Sequence, residues 1–182
     1  MKSRIKMMIY CAMFAALTAA GAFFRINFAY SSITLQFMFT ALSGLLLGPW
    51  LGAASQLVYV ALGLVGLPIF ASGGGLGYLA VPSCGFVLGL PLCSLITGLV
   101  SRGSRKPLRT AAASLTGLAV LYVVGLSYMA LILNVYLGKS MGVWDIAMAG
   151  MIPYLPGDFL KIAVCTLVCA RLPDRLFVKG GT

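Results

Sequence analysis

Long apolar stretches alternate with short segments rich in polar residues, glycine or proline along this chain. Nearly all charged residues fall in those short segments. An uncharged apolar run of roughly 20 residues has the length of one membrane-crossing helix. The pattern therefore predicts six transmembrane helices. Their approximate bounds are 5–24, 34–47, 50–66, 83–100, 110–137 and 143–171.

Proline and glycine mark where several predicted spans end or break. Gly48-Pro49 separates the second span from the third, and an uncharged glycine-rich loop follows at 67–78. The basic run 102–109 ends the fourth span. Proline has no backbone N–H and clashes with the preceding helical turn. We therefore expect the sixth span to be interrupted at Pro153 and again at Pro156-Gly157.

The composition indicates the same class of protein. Hydrophobic residues make up 61% of the 182 positions and charged residues 9%, and the mean hydropathy is +1.04. Soluble domains carry about 25% charged residues. A membrane β-barrel would alternate apolar and polar positions, which this chain does not do. We predict an all-α, polytopic membrane protein with residues 1–182 in a single domain.

The basic residues predict the orientation of the chain in the bilayer. The formal net charge of +10 comes from 13 Lys and Arg against 3 acidic residues. Cytoplasmic segments carry an excess of Lys and Arg. If the N-terminus is inside, the cytoplasmic segments hold Lys2, Arg4, Lys6, Arg102, Arg105, Lys106, Arg109, Arg171, Arg175 and Lys179. Only Arg25 and Lys139 fall outside, so both termini are predicted to be cytoplasmic, and the charge points to lipid rather than nucleic acid.

The residue inventory argues against zinc and against ATP hydrolysis by this chain. It has no histidine and no Cys-x-x-Cys, and its five cysteines all lie in apolar stretches. Zinc sites are built mainly from Cys and His ligands, so we expect buried free thiols and no metal. The phosphate-binding motif G-x-x-x-x-G-K-[ST] also fails, because Leu133 occupies the first glycine position ahead of Gly138-Lys139-Ser140.

Asp158 and Lys161 are the most informative polar residues. They stand three positions apart in the otherwise apolar stretch that follows Pro156-Gly157, so they share one helix face and can pair. Charges at membrane depth are costly and usually face a bundle interior or cavity that serves a substrate. We interpret the pair as a substrate site; the alternative is an ion pair that only joins two helices.

Ala12, Ala16 and Ala20 form a row of small residues on the first predicted span. Such a row lets another helix approach closely. If the row faces outward, it predicts a partner membrane protein. If it faces inward, it packs against a neighbour in the same chain.

Several polar and glycine positions are further candidates. The stretch Gly73 to Gly77 either offers bare backbone groups to a ligand at the mouth of a cavity or forms a flexible outer loop. Gln36 lies near the predicted outer end of its span, where it can contact a ligand. Gln56 can contact a ligand or, equally well, bridge two helices. Tyr122 is more typical of a packing residue than of a site residue.

Several motifs follow one another along nearly the whole chain. They are the alanine row, Arg25-Ile26, Ile33 to Gln36, Gly44 to Pro49, Gly63 to Phe70, Gly73 to Tyr78, and Leu155 to Lys161. Their order and spacing resemble the BioY family, the biotin-binding membrane subunits (S-components) of energy-coupling-factor (ECF) vitamin transporters.

The resemblance implies a six-helix bundle of the ECF S-component type that captures biotin from outside, without a cofactor, in the plasma membrane of a prokaryote. It implies that the aspartate and lysine of the P-G-D-x-x-K segment contact the ligand. The predicted substrate-binding residues are Thr34, Gln36, Gly73, Gly75, Gly77, Tyr78, Ser83, Asp158 and Lys161.

The resemblance also implies partners. Biotin import in this family involves a membrane coupling (T) subunit and two cytoplasmic ATPases. The face of Ala12, Ala16 and Ala20 is implied to dock on the coupling subunit.

The chain departs from the family pattern at two places. Relatives tend to read G-P-T-G-G-Y where this chain has Val81 to Phe86, V-P-S-C-G-F, although Ser83 keeps a hydroxyl. The prolines usual after Arg25 are also missing. The alternatives are therefore an S-component for another vitamin or small carboxylate, or a non-transporting membrane assembly subunit. An intramembrane enzyme is disfavoured, because it needs paired acids, a Ser–Lys or Ser–His set, or a metal.

Overall fold

The computed structural model describes residues 2–27 and 32–172, and its helices follow the apolar stretches. The helices are α1 (Lys2–Phe23), α2 (Gln36–Leu47), α3 (Pro49–Val65), α4 (Cys84–Ser101), α5 (Pro107–Leu131), α6 (Val143–Gly150) and α7 (Leu155–Arg171). Four helical segments of the described chain are long and apolar enough to cross a membrane, and α2 and α3 are shorter apolar helices. The predicted all-α membrane architecture is confirmed.

The sixth predicted span is broken once rather than twice. A short 3-10 turn at Ile152–Tyr154 separates α6 from α7, so the break at Pro153 is confirmed. The second interruption is wrong: Pro156 lies in the first turn of α7, where its missing N–H has no partner to lose. Asp158 consequently lies in the first turn of α7, at the positive end of the helix dipole.

A β-hairpin joins α1 to α2, where the sequence indicated only a polar connection. Strands β1 (Arg25–Asn27) and β2 (Ser32–Thr34) are antiparallel. Strands of three residues are too short for an alternating pattern to be recognised. The backbone N–H of Leu35 donates to the carbonyl of Gly21 at 3.1 Å, which ties the end of the hairpin to α1.

Helix α4 packs against α2, α3 and most extensively against α5. Glycines allow the backbones to approach closely. A Cβ at Gly44 of α2 would lie 2.3 Å from the carbonyl oxygen of Ser94, and one at Gly98 of α4 would lie 2.5 Å from the backbone nitrogen of Pro49. Because close backbone contact holds membrane helices together, these glycines fix α2 and α3 against α4.

A buried hydrogen-bond network joins the same three helices. The Gln56 side chain accepts from Thr40 at 3.0 Å and donates to Ser43 at 3.3 Å and to Ser55 at 3.1 Å. Ser43 in turn shares a 2.8 Å hydrogen bond with Ser94. The structure therefore shows Gln56 as a bridge between helices.

Arginines of the loop between α4 and α5 bind the C-terminal ends of two helices. Arg105 Nη2 donates to the carbonyls of Ala170 at 3.3 Å and Leu172 at 2.5 Å. Arg109 Nε donates to the carbonyl of Val100 at 3.1 Å. Cations at helix C-termini interact favourably with the dipole. This loop and the end of α7 therefore lie at one end of the bundle, as the predicted topology requires.

The cytoplasmic placement of both termini stays a prediction. Arg175 and Lys179, which contributed to it, lie outside the described residues.

We predict that Gly44→Ala destabilises the protein by about 1–3 kcal/mol, the usual cost of overpacking. The new methyl group would meet the Ser94 carbonyl, which is fixed backbone and cannot move aside cheaply. The measurement is thermal unfolding in detergent. Gly77→Ala is the matched control, because a Cβ there meets no atom within 4 Å. Equal melting temperatures for the two variants would contradict the close contact.

Candidate functional site

A cavity opens among α2, α4, α5 and α7, beside β2 and the loop that precedes α4. The volume of this cavity is about 80 Å³, counted as the space open to the centre of a water-sized sphere. On the same measure one water molecule needs about 10–15 Å³, so the cavity is large enough for several waters. Its apolar wall includes Phe37, Phe86, Leu90, Leu118 and Leu121. A cavity that is mostly apolar with a few polar groups is typical of a small-molecule site.

Six of the nine predicted substrate-binding residues line this cavity. They are Thr34, Gln36, Tyr78, Ser83, Asp158 and Lys161. These residues come from the first half of the chain and from α7, so the fold brings together groups that the sequence separates in some cases by more than 100 positions. Gly73, Gly75 and Gly77 do not belong to the lining.

The glycines shape the loop that carries Tyr78 to the cavity. Gly73 and Gly75 have φ angles of +119° and +87°, which favour glycine. The N–H of Gly75 donates to the carbonyl of Gly63 in α3 at 2.7 Å. Tyr78 follows in a 3-10 turn and is only 4% exposed. The direct contact of these glycines with a ligand stays a prediction.

Asp158 and Lys161 form the predicted ion pair inside the cavity. Lys161 Nζ lies 2.8 Å from Asp158 Oδ1, and the two residues are 8% and 6% exposed. The other carboxylate oxygen, Oδ2, accepts a 2.5 Å hydrogen bond from the hydroxyl of Tyr122 in α5. Each oxygen of the carboxylate thus has one donor, and each retains acceptor capacity for a ligand.

Gln36 belongs to a second polar chain along the cavity. Its Oε1 accepts from the Thr34 hydroxyl at 3.0 Å, and its Nε2 donates to the Tyr59 hydroxyl at 2.7 Å. Tyr59 donates onward to the carbonyl of Ile69 at 3.0 Å. This chain links β2 to α3 and to the loop after α3. It therefore holds the hairpin and the glycine loop in a fixed relation beside the cavity.

Tyr78 is held by aromatic and polar neighbours. Its ring packs on Phe70 with centroids 4.7 Å apart. Burial raises the pKa of the Tyr78 phenol, and a hydrogen bond with Ser83 acts in the opposite direction. With a raised pKa, the phenol is neutral at physiological pH and can donate or accept a hydrogen bond.

Sequence reasoning missed two tyrosines of the site. Tyr122, which it assigned to packing, and Tyr154 both line the cavity. Tyr122 stands 36 positions before Asp158 on another helix. A lone tyrosine in an apolar helix gives no signal for such a contact, because only helix packing decides which residues face each other.

The alanine row faces away from the bundle. Ala12, Ala16 and Ala20 are exposed, whereas Ala15 and Thr18 on the other side of α1 are buried. This exposure does not fit the alternative in which the row packs against a neighbouring helix of the same chain. The row is a smooth surface available to lipid or to another protein.

The sequence of this chain is similar to those of known proteins. The model of the BioY family matches residues 1–177. The "Probable biotin transporter BioY" of Lysinibacillus sphaericus is 36% identical over 167 residues, which cover 91% of this chain and 85% of the relative. The "Biotin transporter BioY" of Rhodobacter capsulatus is 37% identical over 160 residues, which cover 81% and 84% respectively.

The fold also matches a solved structure. The crystal structure of the S-component for biotin from an ECF-type ABC transporter superimposes with a TM-score of 0.81. The match covers 93% of this chain and 92% of that chain at 23% sequence identity. The likeness shows that this chain has the S-component fold.

We predict that Asp158→Ala destabilises the empty protein by about 3–5 kcal/mol, because it leaves the buried Lys161 ammonium without its partner. The double variant Asp158→Ala with Lys161→Met removes both charges and should recover much of that loss. The free energies of unfolding in detergent test this. A double variant no more stable than the single one would show that the two groups do not act as a pair.

Proposed function

This chain belongs to the BioY family, and on that basis we propose that it is the membrane-embedded subunit that captures biotin from outside the cell. It is a multi-pass protein of the prokaryotic plasma membrane and a transporter component rather than an enzyme. The observation that carries the proposal is the cavity beside the buried group of Asp158, Lys161 and Tyr122. The relatives named as biotin transporters support the choice of ligand.

The chemistry of biotin matches this cavity. Its ureido group carries two N–H donors and a carbonyl, its fused rings are apolar, and an aliphatic arm ends in a carboxylate. The Asp158 carboxylate accepts from the ureido N–H groups, and the Lys161 ammonium donates to the ureido carbonyl. Phe37, Phe86 and Leu90 provide the apolar surface for the rings.

The pairing of Asp158 with Lys161 suits an uncharged head group. The pair is neutral as a unit, so the empty cavity does not bury a net charge at that point. A ureido group both donates and accepts hydrogen bonds, so it can bind to Asp158 and Lys161 without breaking their ion pair. An isolated aspartate or lysine at this depth would instead select a charged head group.

The local departure from the family pattern keeps the glycine that close packing demands in the first turn of α4. Gly85 is retained, and a Cβ there would lie 2.3 Å from the Cβ of Tyr128. Val81 and Cys84 replace glycines of the usual pattern, while Ser83 still lines the cavity. These replacements favour one alternative, an S-component for another vitamin or small carboxylate. A non-transporting assembly subunit has no use for the cavity.

Energy for uptake comes from partners in this proposal. The chain contains no phosphate-binding motif, and the resemblance to the family implies that a membrane coupling subunit and two cytoplasmic ATPases supply the driving force. The exposed row of Ala12, Ala16 and Ala20 supports a docking role, since small residues let a second helix approach closely.

We predict that Asp158→Asn weakens biotin binding by about 1.5–3 kcal/mol, the value of a hydrogen bond to a charged group. Calorimetric titration of the biotin-depleted protein in detergent measures this. Asp145→Asn is the matched control, because Asp145 accepts from the backbone of Gly142 and does not line the cavity. Unchanged affinity in a folded Asp158→Asn protein would remove Asp158 from the site. If the wild-type protein binds another vitamin but not biotin, the ligand assignment fails.

We predict that Ala16→Trp blocks biotin uptake and assembly with the coupling subunit while biotin binding stays within about twofold. A large ring on the alanine row prevents close helix approach, and Ala16 lies on α1, which contributes nothing to the cavity lining. Val123→Trp on the exposed side of α5 is the control for a tryptophan facing lipid. Loss of binding in Ala16→Trp would indicate internal packing; full uptake would remove the docking role.

A further inference from the structure

Arg25 is placed by the hairpin next to the cavity. It lies opposite Thr34 in the antiparallel register of β1 and β2. Residues directly opposite each other project on the same face of the ribbon, with their Cβ atoms about 4.5–5.5 Å apart. Thr34 lines the cavity, so the Arg25 side chain begins on the face of the hairpin that carries a lining residue.

The electrostatics of Tyr78 are a second observation on Arg25. Burial raises the pKa of the Tyr78 phenol, and the positive charge of Arg25 opposes this shift. The charge of Arg25 therefore acts on Tyr78, which also lines the cavity. The register of the hairpin places Arg25 on the side of the cavity, and its electrostatic effect on Tyr78 is consistent with that position.

The charge of Arg25 is not balanced within residues 2–27 and 32–172. The acids in these ranges are Asp145, which accepts from the Gly142 N–H, and Asp158, which is paired with Lys161. Arg25 itself is exposed. The region of the cavity therefore carries one net positive charge, which a ligand with a single carboxylate would neutralise.

We propose that Arg25 binds the carboxylate of the ligand, so that the site selects apolar molecules that end in a free carboxylate arm. This inference rests on the proposed function. It assigns Arg25 to the carboxylate end of the ligand, which is the end opposite to the ureido group. A guanidinium is suited to the role because its planar fork matches both carboxylate oxygens. Lys161 is the poorer candidate, since drawing it away from Asp158 would leave that buried carboxylate unpaired.

The test compares biotin with biotin methyl ester, which has the same rings but no charge on the arm. Titrations use the biotin-depleted full chain as wild type, Arg25→Gln, Arg25→Lys and Lys139→Gln. Lys139 is the other basic residue predicted outside, so its variant controls for the loss of one positive charge. We expect the wild type to prefer biotin by about tenfold or more, the scale of a charge-assisted hydrogen bond.

Arg25→Gln is expected to bind both ligands equally, with ester affinity within about twofold of wild type. Arg25→Lys should restore part of the preference, and Lys139→Gln should keep all of it. An unchanged preference in Arg25→Gln overturns the inference while leaving the proposed function in place, as does a wild type that binds both ligands equally. Loss of both ligands in Arg25→Gln assigns the residue a structural role instead. A wild type that binds neither ligand overturns the proposed function and the inference together.

Discussion

The burial of an ionised carboxylate among membrane helices is the constraint on which the site depends. A carboxylate removed from water costs several kcal/mol unless it is paired and hydrogen-bonded. Asp158 meets this demand with Lys161 on one oxygen and Tyr122 on the other, at the positive end of α7. The break in the helix before Leu155 also stabilises the carboxylate, because it lets α7 begin close to Asp158. Broken helices whose ends face a cavity are a common way to build ligand sites in membranes.

The remainder of the fold holds the groups around this pair in place. Helices α2, α3 and α4 are fixed by close glycine contacts and by the hydrogen bonds of Gln56. From this framework, Gln36 and Tyr59 hold the hairpin and the glycine loop beside the cavity. Satisfied polar networks of this kind specify one arrangement of helices, since every alternative leaves buried donors or acceptors unpaired. The cavity is thus preformed from side chains that already have partners.

The cavity and the alanine row occupy different parts of the molecule. The cavity is lined by α2, α4, α5, α7 and the segments next to them, whereas the exposed alanine row belongs to α1. Helix α1 packs on α2 and α3, so one of its faces supports the bundle and the other is free. A transporter subunit that must keep its ligand while contacting partners benefits from this separation, because changes at one surface need not disturb the other.

The sequence by itself determined the membrane class, the positions of the helices and the pairing of Asp158 with Lys161. These features follow from local rules: apolar length sets a span, proline ends a helix, and a three-residue spacing brings two side chains onto one face. The tertiary structure alone decided that Tyr122 donates to Asp158, that Arg25 stands opposite Thr34, and that the alanine row faces outward. Each of these depends on which helix or strand lies beside which. No local periodicity encodes these features, and the contact of Tyr122 with Asp158 joins residues 36 positions apart.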